Sequence, residues 1–334
     1  MSHPVRFGLI GTGWIGRFHA ESLAGRVPGA CLVAVADPNL EAAQAALSPV
    51  ASLARPGAPR AYADPAELIA DPTVDAVAIS SPAATHTDLV VAAAQAGKHV
   101  FCEKPMALTL DDADRAIRAA ETAGVALQVG FNRRFATDFA AAHDAIVAGA
   151  IGTPQLLRSL TRDPGITAEV AARVKPRTIF NETLIHDFDT LCWLNPGARV
   201  TEVYAQAAAL IHPQFADAGF LDTSVVQLRF DNGAFGTAEA SFQAVYGYDV
   251  RGEIFGPNGV LLAGREPAHA GRLNTELFHD AYVAQFVHFV DSVVAGTTPS
   301  VTGHDARVAL EIALAAAESV RTGAPVTLTE AVPA

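Results

Sequence analysis

Residues 5–16 read Val-Arg-Phe-Gly-Leu-Ile-Gly-Thr-Gly-Trp-Ile-Gly, a short apolar run leading straight into three spaced glycines. Gly11, Gly13 and Gly16 fit the pattern G-x-G-x-x-G, and Asp37 closes the next apolar run 21 positions after Gly16. Each part has a physical task. Gly11 permits a tight turn, Gly13 lets the backbone approach a pyrophosphate, and Gly16 lets the following helix pack close to the strand. The N-terminus of that helix offers free N–H groups to phosphate oxygens. A glycine-rich turn alone is compatible with no ligand at all. Strand before, helix after and a carboxylate at this distance together point to a bound dinucleotide.

Working outward, the first 130 residues alternate strand-like and helix-like signals, the pattern of a doubly wound parallel sheet. Strands are expected at 5–10, 31–36, 74–79, 99–102 and 125–129, with helices at 14–24, 40–47, 66–70, 85–96 and 110–123. Thr109 with Asp112 suits a helix start, and Gly97 and Gly124 suit helix ends. Residues 48–60, rich in Pro, Ala and Gly, read as a surface loop. After Gly130 the character changes. A helix at 135–148 gives way to a polar, irregular stretch and then to a second helix at 183–194. Five β-like runs follow, at 201–207, 224–230, 234–242, 249–255 and 260–263, with Asp231-Asn232-Gly233 as a hairpin turn. Helices at 281–295 and 304–322 finish the chain. The expected organisation is a Rossmann domain over 1–130 and an α+β domain over 131–334, the latter built on a large, mainly antiparallel open sheet.

Composition narrows the function. At 334 residues, two domains are the natural expectation. Half the residues are hydrophobic and 17% are charged, so the chain can build a sizeable core. The net charge of −12 argues against a nucleic-acid partner, because no basic surplus exists to neutralise phosphates. No apolar run approaches the ~18 residues of a membrane span. The first strand starts near Val5, which leaves no room for a signal peptide. Cys31, Cys102 and Cys192 are odd in number and far apart, and read as small buried hydrophobes in a reducing cytoplasm.

Chemistry should sit beyond the carboxyl ends of the parallel strands. Two segments end there: Ile79-Ser80-Ser81-Pro82, and Cys102-Glu103-Lys104-Pro105. Lys104 is either a solvated surface lysine or a cation placed for a ligand. A second constellation is Glu182-Thr-Leu-Ile-His186-Asp187-Phe188-Asp189. Glu182 and His186 are four apart, so a helix sets them on one face. A carboxylate beside an imidazole favours the imidazolium and fixes the tautomer, as a proton acceptor near neutral pH requires. The same residues could form an incidental pair on a surface helix. Glu182, His186 and Asp189 could also ligate a metal, but no further His/Cys cluster supports that, and no metal is expected.

These pieces resemble the Gfo/Idh/MocA oxidoreductases over essentially the full length. The matching stretches are Gly-Thr-Gly-Trp-Ile-Gly at 11–16, Glu103-Lys104-Pro105, Gly130-Phe131-Asn132-Arg133-Arg134-Phe135, and Ile185-His186-Asp187-Phe188-Asp189. Within the family the chain is most similar to the inositol 2-dehydrogenase branch, through Arg162-Asp163-Pro164, Tyr246-Gly247-Tyr248-Asp249, residues 289–292 and residues 302–305. The resemblance implies that Lys104 reaches both the nicotinamide ribose and the substrate hydroxyl, that His186 is the acid/base, and that the Lys104–Pro105 bond is cis. It makes Arg133, Arg134, Asp163, Tyr246 and Tyr248 candidate polyol contacts or supports of such contacts, alongside Lys104, Glu182 and His186. The cofactor set is Gly11, Thr12, Gly13, Trp14, Ile15, Gly16, Asp37, Ser81, Pro82, His86, Glu103 and Lys104, and the cofactor is NAD. Asp37 repels a 2′-phosphate, and the neighbouring Pro38 and Asn39 offer no cation to rescue one.

One place departs from the family. Where inositol dehydrogenases usually read Gly-Gly and then Asp ahead of the histidine, this chain has Arg177-Thr178 and then Glu182. The implied function is NAD-dependent oxidation of a secondary alcohol on a cyclic polyol or sugar. An NAD-dependent glycoside hydrolase on the same fold, or a silent NAD/sugar sensor, are the alternatives. Relatives are commonly dimers or tetramers, so a homo-oligomer is expected.

Overall fold

The computed structural model describes residues 3–50, 59–174, 176–264 and 273–329. Most of the stretch read as a loop at 48–60 lies outside these residues. In chain order the strands are β1 (Val5–Ile10), β2 (Ala30–Ala36), β3 (Arg60–Tyr62), β4 (Ala76–Ile79), β5 (His99–Cys102), β6 (Leu127–Val129), β7 (Leu156–Arg162), β8 (Val200–Ala208), β9 (Thr223–Phe230), β10 (Phe235–Ser241), β11 (Asp249–Gly256), β12 (Gly259–Ala263) and β13 (Val326–Thr327). The α-helices are α1 (Trp14–Gly25), α2 (Leu40–Leu47), α3 (Pro65–Ala70), α4 (His86–Gln95), α5 (Leu110–Ala123), α6 (Thr137–Val147), α7 (Ala168–Ala171), α8 (Ile185–Trp193), α9 (Asn274–Leu277), α10 (His279–Ala295) and α11 (Gly303–Thr322).

The first compact unit comprises Met1–Asn132 together with His279–Arg307. Its sheet runs β3-β2-β1-β4-β5-β6 with every pair parallel. Strand order therefore reverses between β1 and β4, where a doubly wound sheet opens its ligand crevice. Apolar runs such as Phe7-Gly8-Leu9-Ile10 are buried on both faces, which is why they lack alternation. Thr109 caps α5 through Asp112, and Gly124 ends it at φ 65° in the left-handed region. The short edge strand β3 is an addition to the expected set, and β4 and β6 each start two residues later than expected.

Helix α10 belongs to this unit, although a division at residue 130 assigns it to the second domain. Phe286 packs 4.2 Å from Phe101 and edge-on to Phe7 at 6.0 Å, and Phe289 joins the same cluster. Burying aromatic rings of this size is worth ~2–3 kcal/mol each, enough to hold a returning helix against the sheet.

The second unit comprises Arg133–Phe278 and Val308–Ala334, so α11 starts in one unit and ends in the other. Its seven strands run β12-β11-β7-β10-β9-β8-β13. The hairpins at β8–β9, β9–β10 and β11–β12 are antiparallel as expected, with Gly233 at φ 89° in the Asp231–Gly233 turn. The sheet is nevertheless mixed, because β7 pairs parallel with β10. Strand β7 itself falls in the stretch read as irregular. One sheet face is covered by α8, which fits closely because Gly236, Ala238 and Ala240 present little bulk beneath it. The opposite face exposes Leu156, Val225, Phe235, Phe255, Val260 and Leu262, each at least 43% accessible.

Candidate active site

The glycine turn of the first unit has the form its spacing predicts. Gly11 sits at φ 93°, and a Cβ there would press on the Ser81 nitrogen at 2.6 Å. A Cβ on Gly16 would run into the Gly11 carbonyl oxygen, so helix α1 reaches the strand only without a side chain at that position. Gly13 differs: a Cβ there meets nothing within 4 Å. The chain itself does not need glycine at 13, whereas an approaching phosphate would. Helix α1 starts with no side-chain cap and no acid in its first turn, leaving its N–H groups for an anion.

Asp37, at the end of β2, accepts hydrogen bonds from the Thr12 nitrogen and hydroxyl at 2.9 and 2.7 Å and from the Asn39 nitrogen at 3.0 Å. Partial burial raises its pKa, but those hydrogen bonds and the nearby Arg17 charge outweigh burial and hold the carboxyl below its usual range. A cation therefore does stand beside Asp37. It comes from α1, where Arg17 Nε donates to the Thr12 carbonyl at 3.1 Å, and not from the residues following Asp37.

Two segments flank this turn in the same unit. Ser80 Oγ donates to the Gly11 carbonyl at 2.9 Å, tying the end of β4 to the turn. At the end of β5, His19 Nε2 lies 2.7 Å from Glu103 Oε1, and the Lys104 nitrogen donates to Glu103 Oε2 at 3.3 Å. His19 is fully buried, in contact with Phe101, Tyr282 and Phe286. Complete burial, with the Glu103 charge adding, pushes the Cys102 thiol well above its usual range. Lys104 itself is half-buried, and its bond to Pro105 is cis. Glu103 thus supports the backbone of Lys104 from beneath, and is itself only 7% exposed.

In the second unit, α8 is no surface helix. Every residue from Ile185 to Leu191 is buried, His186 included. The charges on the helix are matched. Asp187 Oδ1 accepts from Arg133 Nη1 at 2.8 Å and from Ser159 Oγ at 2.5 Å, while Oδ2 accepts from Thr161 Oγ1 at 2.6 Å. Asp189 takes both prongs of Arg134, at 2.5 and 3.0 Å, and Arg134 also lies over the Trp193 ring at 5.7 Å. Arg133 and Arg134 therefore hold the histidine helix from behind. Thr190 donates to the His186 carbonyl at 2.7 Å.

The approach to His186 is a π-helical turn, Ile179–Leu184, where a plain α-helix starting at 183 was expected. Glu182 lies on this turn and is exposed, while His186 beyond it is buried. Arg177 precedes the turn at φ 73°. The left-handed backbone costs a non-glycine residue roughly 1–2 kcal/mol, and the family resemblance implies glycine in this stretch. Tyr246 donates to Asp249 at 3.1 Å and accepts from Arg162 at 3.2 Å. Asp163 and Tyr248 are half-buried on adjoining segments of the same unit. Among the described residues no group of three or more His, Cys, Asp or Glu could hold a metal ion.

Sequence reasoning missed His19 and the partners of the two arginines. The latter carried a signal: two adjacent arginines in one motif and aspartates at 187 and 189 in another have matching charge and number.

Comparison with known proteins agrees with the fold of the two units. Residues 5–131 match the family model described as an oxidoreductase family with NAD-binding Rossmann fold, and residues 139–262 match the Gfo/Idh/MocA C-terminal domain. The chain is 38% identical to the myo-inositol 2-dehydrogenase of Thermotoga maritima, over 98% of this chain and 100% of that protein. It is 37% identical to the NAD(+)-dependent scyllo-inositol 2-dehydrogenase of Bacillus subtilis, over 98% and 97% of the two chains. The crystal structure of myo-inositol dehydrogenase from Lactobacillus casei in complex with NAD(H) and myo-inositol matches with a TM-score of 0.86 at 28% identity, covering 99% of this chain and 98% of that one.

Proposed function

The chain belongs to the Gfo/Idh/MocA oxidoreductase family, and from that premise we propose that it oxidises a secondary alcohol of a myo-inositol-like polyol to the ketone, with NAD as acceptor. NAD, when bound, supplies the hydride acceptor. The chain's own residues bind it through Gly11–Gly16 and Asp37, and manage the proton. His186 takes the proton of the alcohol, and the Lys104 ammonium donates a hydrogen bond to the same oxygen as negative charge builds there. Glu182, in place of the aspartate usual in similar enzymes, lines the polyol side and favours the charged imidazole. Asp163, Tyr246 and Tyr248 contact the polyol or brace the residues that do.

The observation that carries this reading is the placing of Lys104. It lies two residues beyond β5, next strand but one to β1 and its glycine turn, and its backbone is held by a carboxylate locked to a buried histidine. A lysine serving only solubility needs no such support. The experiment is a panel of inositol isomers and aldoses incubated with the protein and NAD, followed at the reduced-nicotinamide absorbance band. Accumulating NADH with at least one inositol is the expected result. Its absence with every member, despite NAD binding, overturns the assignment and favours the hydrolase or sensor alternatives.

The same proposal includes a homo-oligomer assembled through the outer face of the second unit's sheet. That face sets Leu156, Val225, Phe235 and Phe255 around the Arg158–Glu239 pair at 2.7 Å, and apolar residues clustered in this way mark interaction sites. Sedimentation velocity tests it, and a single species of monomer mass refutes it. We place the enzyme in the cytoplasm, where the unbridged thiols Cys31, Cys102 and Cys192 suit a reducing compartment.

A further inference from the structure

His86 opens α4 and is 1% exposed. Its Nε2 lies 2.7 Å from the carbonyl oxygen of Ser81, and its Nδ1 lies 2.8 Å from that of Pro105. Both partners are carbonyl oxygens, so the ring joins the two segments, donating through whichever nitrogen carries the proton while the other lies against the second oxygen. One end of this bridge is the segment already tied to the glycine turn through Ser80 and Gly11. The other end is the residue directly after Lys104. The ring is planar and rigid, so it sets the separation of the two carbonyls in a way that a flexible side chain could not.

We propose that His86 is a positioning residue, which sets the Lys104–Pro105 segment against the cofactor-contacting segment Ser80–Pro82 and thereby aims the lysine relative to bound nicotinamide. It rests on the dehydrogenase reading above. The family resemblance counts His86 among the cofactor contacts. With each ring nitrogen within 2.8 Å of a carbonyl oxygen and the ring buried, its influence on the cofactor passes through Ser81 on one side and Lys104 on the other.

The two hydrogen bonds can be separated by substitution. In His86→Asn the side-chain amide falls near the Nδ1 position and keeps the Pro105 bond, whereas in His86→Gln it falls near Nε2 and keeps the Ser81 bond. The readouts are the NAD dissociation constant by calorimetry and kcat for the best polyol, on variants shown to be folded by circular dichroism. His86→Asn should weaken NAD about tenfold while kcat stays within about threefold; His86→Gln should lower kcat about tenfold or more while NAD affinity stays within about twofold. Identical effects of the two variants overturn the proposal. So does a lowered melting temperature with both constants unchanged, or the failure of both variants to fold. If only one variant folds, its own predicted signature decides. If the unmutated protein makes no NADH from any polyol, the dehydrogenase reading fails by itself. The NAD constants then decide alone: a split between Asn and Gln supports the bridge, and no split overturns it.

Discussion

Replacing Gly13 and Gly16 by alanine, one at a time, separates the cofactor's demand for glycine from that of the fold. Gly13 has φ −61°, open to any residue, and a Cβ there meets nothing within 4 Å. The folded chain absorbs that methyl, losing at most ~1 kcal/mol from the poorer helix cap. A Cβ on Gly16 collides with the Gly11 carbonyl and also meets Ser80 Oγ at 2.7 Å. Backbone must move there, and overpacking of this kind costs about 1–3 kcal/mol. If the pyrophosphate lies over Gly13, the methyl of Gly13→Ala occupies space the phosphate needs, and affinity should fall roughly 10- to 100-fold, or ~1.4–2.7 kcal/mol. Calorimetric titration with NAD and differential scanning calorimetry read the two effects. Gly13→Ala should keep its melting temperature within about 4 °C and bind NAD poorly, whereas Gly16→Ala should lose both stability and affinity. An NAD dissociation constant for Gly13→Ala within twofold of the unmutated protein would show that the pyrophosphate does not pass over Gly13.

Three further outcomes follow from named contacts. Asp37→Ser should raise kcat/KM with NADP relative to NAD by about tenfold or more, because Arg17 then stands free of a competing carboxylate to meet a 2′-phosphate; an unchanged ratio refutes this. Glu182→Asp, which installs the residue that the family resemblance implies here, should reorder kcat/KM among inositol isomers by about threefold or more without changing NAD affinity, and Glu182→Gln should lower kcat. Unchanged constants for both remove Glu182 from the site. Asp187→Ala strands the Arg133 guanidinium at 2% exposure and should cost about 3–5 kcal/mol in urea unfolding, and a loss below about 1 kcal/mol refutes the role given to that pair.

The parts legible in the sequence are those whose signals are local. The run from Val5 to Gly16 carries its strand, turn and helix start in neighbouring residues, and the Asp231–Gly233 hairpin does the same. Strand β7 hid because two of its inward side chains are polar: beside the apolar Leu157, Ser159 and Thr161 face Asp187, while Leu160 is buried out of step with them. Hydrophobic alternation fails wherever a strand serves a buried ion pair. Phe286 and Phe289 announce that α10 is buried, but no periodicity says which sheet receives it. Similarly, His186 was found through its motif and spacing, whereas His19 and the pairing of Arg133 with Asp187 depend on contacts 54 or more residues apart. The π-turn before His186 has no local signature either, since one extra residue in a helical turn leaves composition unchanged.

The central claim is that Lys104 and His186 manage the proton of a polyol whose hydride passes to NAD. The most direct test is steady-state NADH production from myo- or scyllo-inositol by the unmutated protein, Lys104→Ala and His186→Ala, side by side. The account predicts accumulating NADH for the unmutated protein and a loss of about 10²- to 10⁴-fold in kcat for each variant, with NAD affinity within a few-fold. Near-normal turnover in either variant would contradict it.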